Sequence, residues 1–127
     1  MFIRGHNAAF LLHVVVEVPA ALNFMLYPSR QLGIYTPHAH AIIRQYALLL
    51  LTSIFISVIL SPHPADGLSR AVAGSLAIYH VGPALRSAGR LRQQAARSES
   101  VLLTEAFLYL VVHILCGISL SLFFAGY

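Results

Sequence analysis

Long apolar runs, separated by short polar segments, dominate the pattern of this 127-residue chain. A helix of about 20 apolar residues is about 30 Å long, which matches the hydrocarbon core of a bilayer. Four such runs can be drawn, over residues 8–27, 41–60, 68–85 and 101–124. The pattern therefore predicts an all-α fold, a small polytopic transmembrane bundle of four helices that forms one integral-membrane domain over residues 1–127.

Prolines and glycines indicate where these runs end and where helices can approach closely. Pro62 and Pro64 follow the second run and predict a tight loop, because proline disfavours a continuing helix. The third run is the least apolar and contains Gly74 and Gly82. Small residues let helix backbones approach each other in lipid, so we expect the third helix to pack closely against its neighbours.

Composition supports the membrane interpretation and excludes other classes. Hydrophobic residues make up 58% of the chain and charged residues only 9%, whereas soluble domains have about 25% charged residues. A second, soluble domain and a disordered chain are therefore both excluded. Cys116 is the sole cysteine, so neither an intrachain disulfide nor a thiolate metal site is expected.

Positive charge predicts the orientation of the chain. All eight basic residues are arginines, and four of them lie between Arg86 and Arg97. That stretch has no aromatic side chain on which a base could stack, which argues against nucleic acid as a partner. By the positive-inside rule, we expect the loop 86–100 to be cytoplasmic and to face anionic lipid headgroups. Both termini, with Arg4 and Arg70 on their side, would be lumenal or extracellular.

Several ionisable side chains fall near the middle of the predicted spans. A charge at the bilayer centre costs about 2.5–3.5 kcal/mol on insertion scales, so such residues suggest function. His13 and Glu17 lie one turn apart on the first helix. Tyr79 and His80 are adjacent on the third helix, and His113 lies on the fourth. If the bundle hides its polar faces from lipid, we expect these side chains to meet in its interior.

This set predicts intramembrane acid–base chemistry. Glu17 would accept or donate a proton, with His13 beside it. His80 and His113 would act as partner acid or as orienting groups, and Tyr79 would donate a hydrogen bond to a substrate oxygen. Buried Glu and His give the chain a general likeness to small multi-pass enzymes that act on sterols or polyketides. The leading hypothesis is an isomerase, dehydratase or cyclase that acts on a lipophilic isoprenoid, sterol or polyketide.

For a second group of charged residues, the sequence predicts a structural role and not a catalytic one. Glu105 lies nearer the cytoplasmic end of the fourth run, at the same depth as Arg44 and Arg86. A carboxylate in that position is best neutralised by a guanidinium. We therefore expect a structural ion pair between Glu105 and either Arg44 or Arg86.

Two alternatives to the enzyme stay open. The chain could be an accessory or structural subunit of a membrane complex, with a membrane-protein partner or a second copy, its polar side chains serving helix packing. As a lesser alternative, His80 and His113 could be the axial ligands of a single haem. The leading hypothesis needs no cofactor or metal, and its partners are the lipid bilayer and a lipophilic small molecule.

Overall fold

A computed structural model describes residues 8–32, 34 and 36–127. Arg4, which entered the charge argument, lies outside the described residues. Within those residues the regular secondary structure is entirely helical, which confirms the predicted all-α class. The helices are α1 (Ala8–Leu26), α2 (Pro37–Leu60), α3 (Gly67–Ala96) and α4 (Glu105–Ala125), with a 3-10 turn at Pro28–Gln31 between the first two.

α3 is longer than the sequence pattern predicts. The stretch 86–100 was expected to be a loop, but the helix continues as far as Ala96. The prediction was wrong at this point because the arginines were taken as a sign of a loop, although Arg, Gln and Ala are all strong helix formers. A helix of 30 residues is about 45 Å long, so it exceeds a hydrocarbon core of about 30 Å.

Side-chain and backbone caps set the ends of α3 and α4. The carboxylate of Asp66 accepts a 2.8 Å hydrogen bond from the Ser69 amide, and the Ser69 hydroxyl returns a bond to the Asp66 amide at 2.9 Å. The hydroxyl of Thr104 accepts a 3.3 Å bond from the Phe107 amide, so α4 begins about four residues later than predicted. Gly126 ends α4 with a φ of +93°, a conformation that favours glycine.

The distribution of polar and apolar side chains is inverted relative to a soluble protein. Large apolar side chains such as Val15 (69% exposed) and Phe55 (68%) lie on the outside, whereas Glu17 (0%) and His80 (1%) are buried. This inversion is expected where the surrounding medium is lipid. Within the described residues, α1, α2 and α4 are long and apolar enough to cross a membrane. These findings are consistent with an integral membrane protein.

The chain divides into two compact units, Met1–His63 and Pro64–Tyr127. In the first unit α1 packs against α2, and in the second α3 packs against α4. Each unit is thus a pair of consecutive helices. The expectation that residues 1–127 form one domain stays a prediction.

Glycines make the α3–α4 contact close, as the small residues predict. A Cβ atom added at Gly74 would lie 2.8 Å from the ring of Phe124, and one added at Gly117 would lie 3.4 Å from Cβ of His80. Gly82 differs, because nothing lies within 4 Å of its added Cβ. Since Gly74 near the start of α3 meets Phe124 near the end of α4, the two helices are antiparallel.

Candidate functional site

Two buried imidazoles are joined directly across the α3–α4 interface. Nδ1 of His80 lies 2.9 Å from Nδ1 of His113, within hydrogen-bond distance. The exposed fractions of the two residues are 1% and 7%. The glycine at position 117, one turn beyond His113, leaves room for His80 on the facing helix. The close helix contact therefore brings together two of the residues singled out in the sequence.

The hydrogen bond constrains the protonation of this pair. An imidazole nitrogen can donate only when it carries a proton and can accept only when it does not. One of the two Nδ1 atoms must therefore carry a proton while the other is bare. It follows that at least one of His80 and His113 is neutral.

A groove runs along the face of the α3–α4 pair beside the two imidazoles. Its volume is about 520 Å³, and apart from the imidazoles and one serine its lining is hydrocarbon or glycine. Several lining side chains are open to the surroundings, including Leu85 (69% exposed) and Ile118 (53%). The lining residues are Ala77, His80, Val81, Ala84, Leu85, Ala88, Leu110, His113, Ile114, Gly117, Ile118, Ser121 and Leu122.

Tyr79 contacts one member of the imidazole pair. Its ring centroid lies 5.1 Å from that of His80, in an edge-on arrangement with an interplanar angle of 68°. Such edge-to-face contacts favour a particular relative orientation of the rings. Tyr79 therefore restricts the orientation of the His80 ring, and its predicted role as a donor to substrate stays a prediction.

His13 lies in the first unit and bonds across the α1–α2 interface. Its Nε2 atom is 3.1 Å from the hydroxyl of Ser53. That hydroxyl donates its own proton to the carbonyl of Leu50 at 2.8 Å. The Ser53 oxygen is therefore left to accept, and His13 donates through Nε2–H. Ser53 is not among the predicted acid–base residues, and a hydroxyl is a common partner of a histidine within a membrane.

Glu17 lies one turn beyond His13 on α1. It is fully buried, with an exposed fraction of 0%. Its neighbours on the buried face of α1 are small or aromatic, including Phe10 and Ala21. Of the five predicted acid–base residues, His13 and Glu17 belong to the first unit, and Tyr79, His80 and His113 belong to the second. A role for Glu17 in proton transfer stays a prediction.

Glu105 is the first residue of α4, where a negative charge interacts favourably with the helix dipole. Its carboxylate lies 4.0 Å from the guanidinium of Arg90, and both side chains are exposed. Sequence reasoning missed Arg90, which lies one turn beyond Arg86 once this part of α3 is helical. Arg44 belongs to the first unit, where its Nε donates to the carbonyl of Met25 at 3.4 Å. The pairing of Glu105 with Arg44 or Arg86 stays a prediction.

No protein-family model, curated protein or solved structure matches this chain. The chain is an all-helical protein with buried polar residues. Three of its described helices are long and apolar enough to cross a membrane.

Proposed function

We propose that this chain is a membrane-embedded protein that binds a lipophilic small molecule in the α3–α4 groove and acts on it by acid–base chemistry. The observation that carries the proposal is the bonded pair His80 and His113 at an otherwise apolar groove. Small-molecule sites are mostly apolar clefts of about 300–1,000 Å³ with a few placed polar groups. The groove volume of about 520 Å³ lies in this range.

The lining indicates what kind of ligand would fit. A hydrocarbon skeleton would cover the apolar side chains, and one oxygen function would satisfy the imidazoles. Isoprenoids, sterols and polyketides all have this character. In the proposal, His80 and His113 supply the acid and the base of an isomerase, dehydratase or cyclase reaction. Tyr79 orients His80, and Glu17, with His13 beside it on α1, is proposed as a further proton carrier in the first unit.

The haem alternative fits the imidazole pair less well. Two nitrogens bound to one metal on opposite sides are separated by about 4 Å, because each metal–nitrogen bond is about 2 Å. The Nδ1 atoms of His80 and His113 are 2.9 Å apart. Both rings would have to turn or separate before iron could bind between them.

A second candidate function, as an accessory subunit, is favoured by one observation. The bond from His13 to Ser53 joins α1 to α2, so at least one of the predicted catalytic residues serves helix packing. In an accessory subunit the remaining polar residues would have the same purpose.

The antiparallel contact of α3 with α4 supports a membrane-crossing α3, which the proposed topology requires. α4 is apolar enough to cross a membrane, so the part of α3 packed alongside it would cross as well. The arginines at the end of α3 would then extend beyond the hydrocarbon core toward anionic headgroups. We place this end in the cytoplasm and both termini in the lumen or outside, by the positive-inside rule.

The test compares two substitutions on α4. The chain is purified in mild detergent, and co-purifying small molecules and proteins are identified by mass spectrometry. Ile118→Trp fills the groove, whereas Leu115→Trp adds the same bulk to a side chain outside its lining. The two parent side chains are similarly exposed, at 53% and 56%.

We expect the parent and Leu115→Trp to retain a bound lipophile and Ile118→Trp to lose it. Equal retention by all three would contradict binding in the groove. A stoichiometric protein partner without a lipophile would favour the accessory subunit.

A further inference from the structure

We infer that the α3–α4 groove binds the hydrocarbon chain of a long-chain carboxylic acid whose carboxylate pairs with Arg92. The inference rests on the proposed function, because it names the head group and the substrate class for the same groove. It starts from the two ends of the groove. An aromatic ring covers one end, and the other end leads to an exposed guanidinium.

The ring of Phe124 closes one end of the groove. On α3 the lining begins at Ala77. About one turn earlier on the same helix, a Cβ atom added at Gly74 would lie only 2.8 Å from the Phe124 ring. Neither Gly74 nor Phe124 belongs to the lining. A ligand chain that extends along the groove therefore meets this ring where it passes Ala77.

The opposite end of the groove leads to Arg92. The α3 lining ends at Ala88, and Arg92 follows four residues later, about 40° around the helix axis. Residues at this spacing are neighbours on a helix surface. A long helical side chain leans toward the turn that precedes it, so we expect Arg92 to extend over Ala88. Both residues are exposed, so a ligand can reach this end.

The charge of Arg92 is not neutralised within the chain. Among the residues that the structure describes, its guanidinium has no hydrogen bond or ion pair. Arg90, by contrast, faces the carboxylate of Glu105 at 4.0 Å. Arg86 lies about 160° around the helix axis from Ala88, on the side of α3 away from the groove. Arg92 therefore continues the groove face with a positive charge that can bind an anion.

The length of the groove matches one hydrocarbon chain of a membrane lipid. The α3 lining runs from Ala77 to Ala88, which is about 16 Å at 1.5 Å per residue. The hydrocarbon part of one bilayer leaflet is about 15 Å thick, half of a core of about 30 Å. A chain that spans one leaflet would therefore fill the groove from the Arg92 end to the Phe124 ring.

A single guanidinium favours a carboxylate over a phosphate as the head group. Arginine can bind either group through two parallel hydrogen bonds. A carboxylate has one negative charge, whereas a phosphate monoester has about 1.5–2 at neutral pH. Arg92 alone would leave part of the phosphate charge uncompensated beside an apolar groove, and such a charge is costly. The head group is therefore a carboxylate.

The carboxylate would lie far from the imidazole pair. His80 precedes Arg92 by about 18 Å along α3, close to the end that Phe124 covers. His80 and His113 would therefore face the chain and not the head group. An oxygen function on which these imidazoles act would lie toward the far end of the chain. The substrate class is a long-chain carboxylic acid with an oxygen function at that position.

The test compares the binding of palmitate with that of 1-hexadecanol, which has an equally long chain but an uncharged head group. The full chain is placed in phosphatidylcholine nanodiscs at alkaline pH, so that the palmitate is ionised. Tritiated probes are titrated, and empty nanodiscs give the background from partition into lipid. Arg92→Gln is the test variant. Arg86→Gln is the matched control, because it removes one exposed positive charge from the opposite side of α3.

We expect the parent to bind palmitate saturably, with one molecule per chain. Arg92→Gln should weaken palmitate binding by about 10- to 100-fold, as expected for loss of a hydrogen bond between charged groups, and should leave hexadecanol binding unchanged. Arg86→Gln should bind both probes like the parent. Arg92→Lys keeps the charge and should weaken palmitate binding less than Arg92→Gln does.

Three outcomes would overturn the inference while hexadecanol still binds, which leaves the proposed function intact. Equal palmitate binding by the parent and Arg92→Gln would exclude Arg92 as the partner. Equal weakening by Arg86→Gln would show that only general surface charge attracts the probe. Tighter binding of hexadecyl phosphate than of palmitate would exclude a carboxylate as the preferred head group. Failure of the parent to bind any of the probes would contradict lipophile binding itself, which the Ile118→Trp comparison tests independently.

Discussion

His13 and Ser53 connect α1 to α2 through a 3.1 Å hydrogen bond in which the imidazole donates and the hydroxyl accepts. The direction follows from a second bond, because the Ser53 proton goes to the carbonyl of Leu50. His13 is fully buried, so loss of the Ser53 hydroxyl would remove a hydrogen bond from a buried polar group. Loss of a buried hydrogen bond costs about 1–3 kcal/mol, although hydrogen bonds between membrane helices average nearer 0.6 kcal/mol.

Ser53→Ala should therefore lower the free energy of unfolding by about 1 kcal/mol, measured by denaturation in detergent. Ser61→Ala is the matched control, since Ser61 also donates to a carbonyl three residues earlier but at the exposed end of α2. The control should change stability less than Ser53→Ala does. Equal losses in the two variants would mean that the bond from His13 adds nothing measurable.

The two imidazoles of the second unit should be energetically coupled. His80→Leu or His113→Leu alone removes the Nδ1–Nδ1 hydrogen bond from the remaining buried imidazole and should cost about 1–3 kcal/mol. The double variant removes both polar groups, so it should cost less than the sum of the single variants by about 0.5–3 kcal/mol. Thermal unfolding of the four proteins in the same detergent completes the cycle. Strictly additive losses would show that the two rings do not stabilise each other.

Glu17→Gln separates a structural from a chemical role of the buried carboxyl. The amide keeps the shape of the side chain and removes the ionisable group, so the variant should be at least as stable as the parent. If Glu17 carries a proton, turnover of the co-purifying lipophile should fall by roughly 10²- to 10⁴-fold. Glu99→Gln, at an exposed site between α3 and α4, should change neither quantity. A stable Glu17→Gln variant with full turnover would remove Glu17 from the proposed chemistry.

α3 should cross the membrane, although it is not among the helices that qualify by hydropathy alone. Its antiparallel packing against α4 requires both helices to lie at the same depth. In a Cys116→Ala background, single cysteines at Ala65 and Ser100 flank α3, and both sites are exposed. An impermeant maleimide should label them from opposite sides, with position 100 cytoplasmic. Labelling of both from one side would restrict the spans to α1, α2 and α4.

Substitution by alanine should change the stability of the protein differently at two glycines of α3. At Gly89 nothing lies within 4 Å of an added Cβ, so Gly89→Ala should gain up to about 1 kcal/mol from helix propensity. At Gly74 the added Cβ would lie 2.8 Å from Phe124, and the ring would have to move. Gly74→Ala should therefore be the less stable of the two variants in thermal unfolding. The reverse order would show that the Phe124 ring yields without cost.

The sequence by itself determined the class of the protein and most of its elements. Runs of about 20 apolar residues predict helices wherever they occur, because only a helix satisfies its own backbone within lipid. Pro62 and Pro64 correctly predicted the loop before α3, and Gly74 indicated a close helix contact. The failure was local, at the arginine-rich end of α3. The arginines were taken as a sign of a loop. Their charge indicates only that the segment lies outside the hydrocarbon core, whereas the helix propensities of Arg, Gln and Ala still favour a helix.

The partners of the buried polar side chains were decided by tertiary structure alone. The sequence placed His13, His80 and His113 at membrane depth and paired His80 with His113 only in the haem alternative, but it could not determine the hydrogen-bond partner of any of them. Which side chains meet depends on the rotation of each helix about its axis and on the axial offset between neighbours, and neither is contained in hydropathy. The antiparallel register of α3 and α4 brings the two Nδ1 atoms to 2.9 Å. The packing of α1 on α2 makes Ser53 the hydrogen-bond partner of His13. Small shifts between packed helices decide which polar atoms lie within bonding distance.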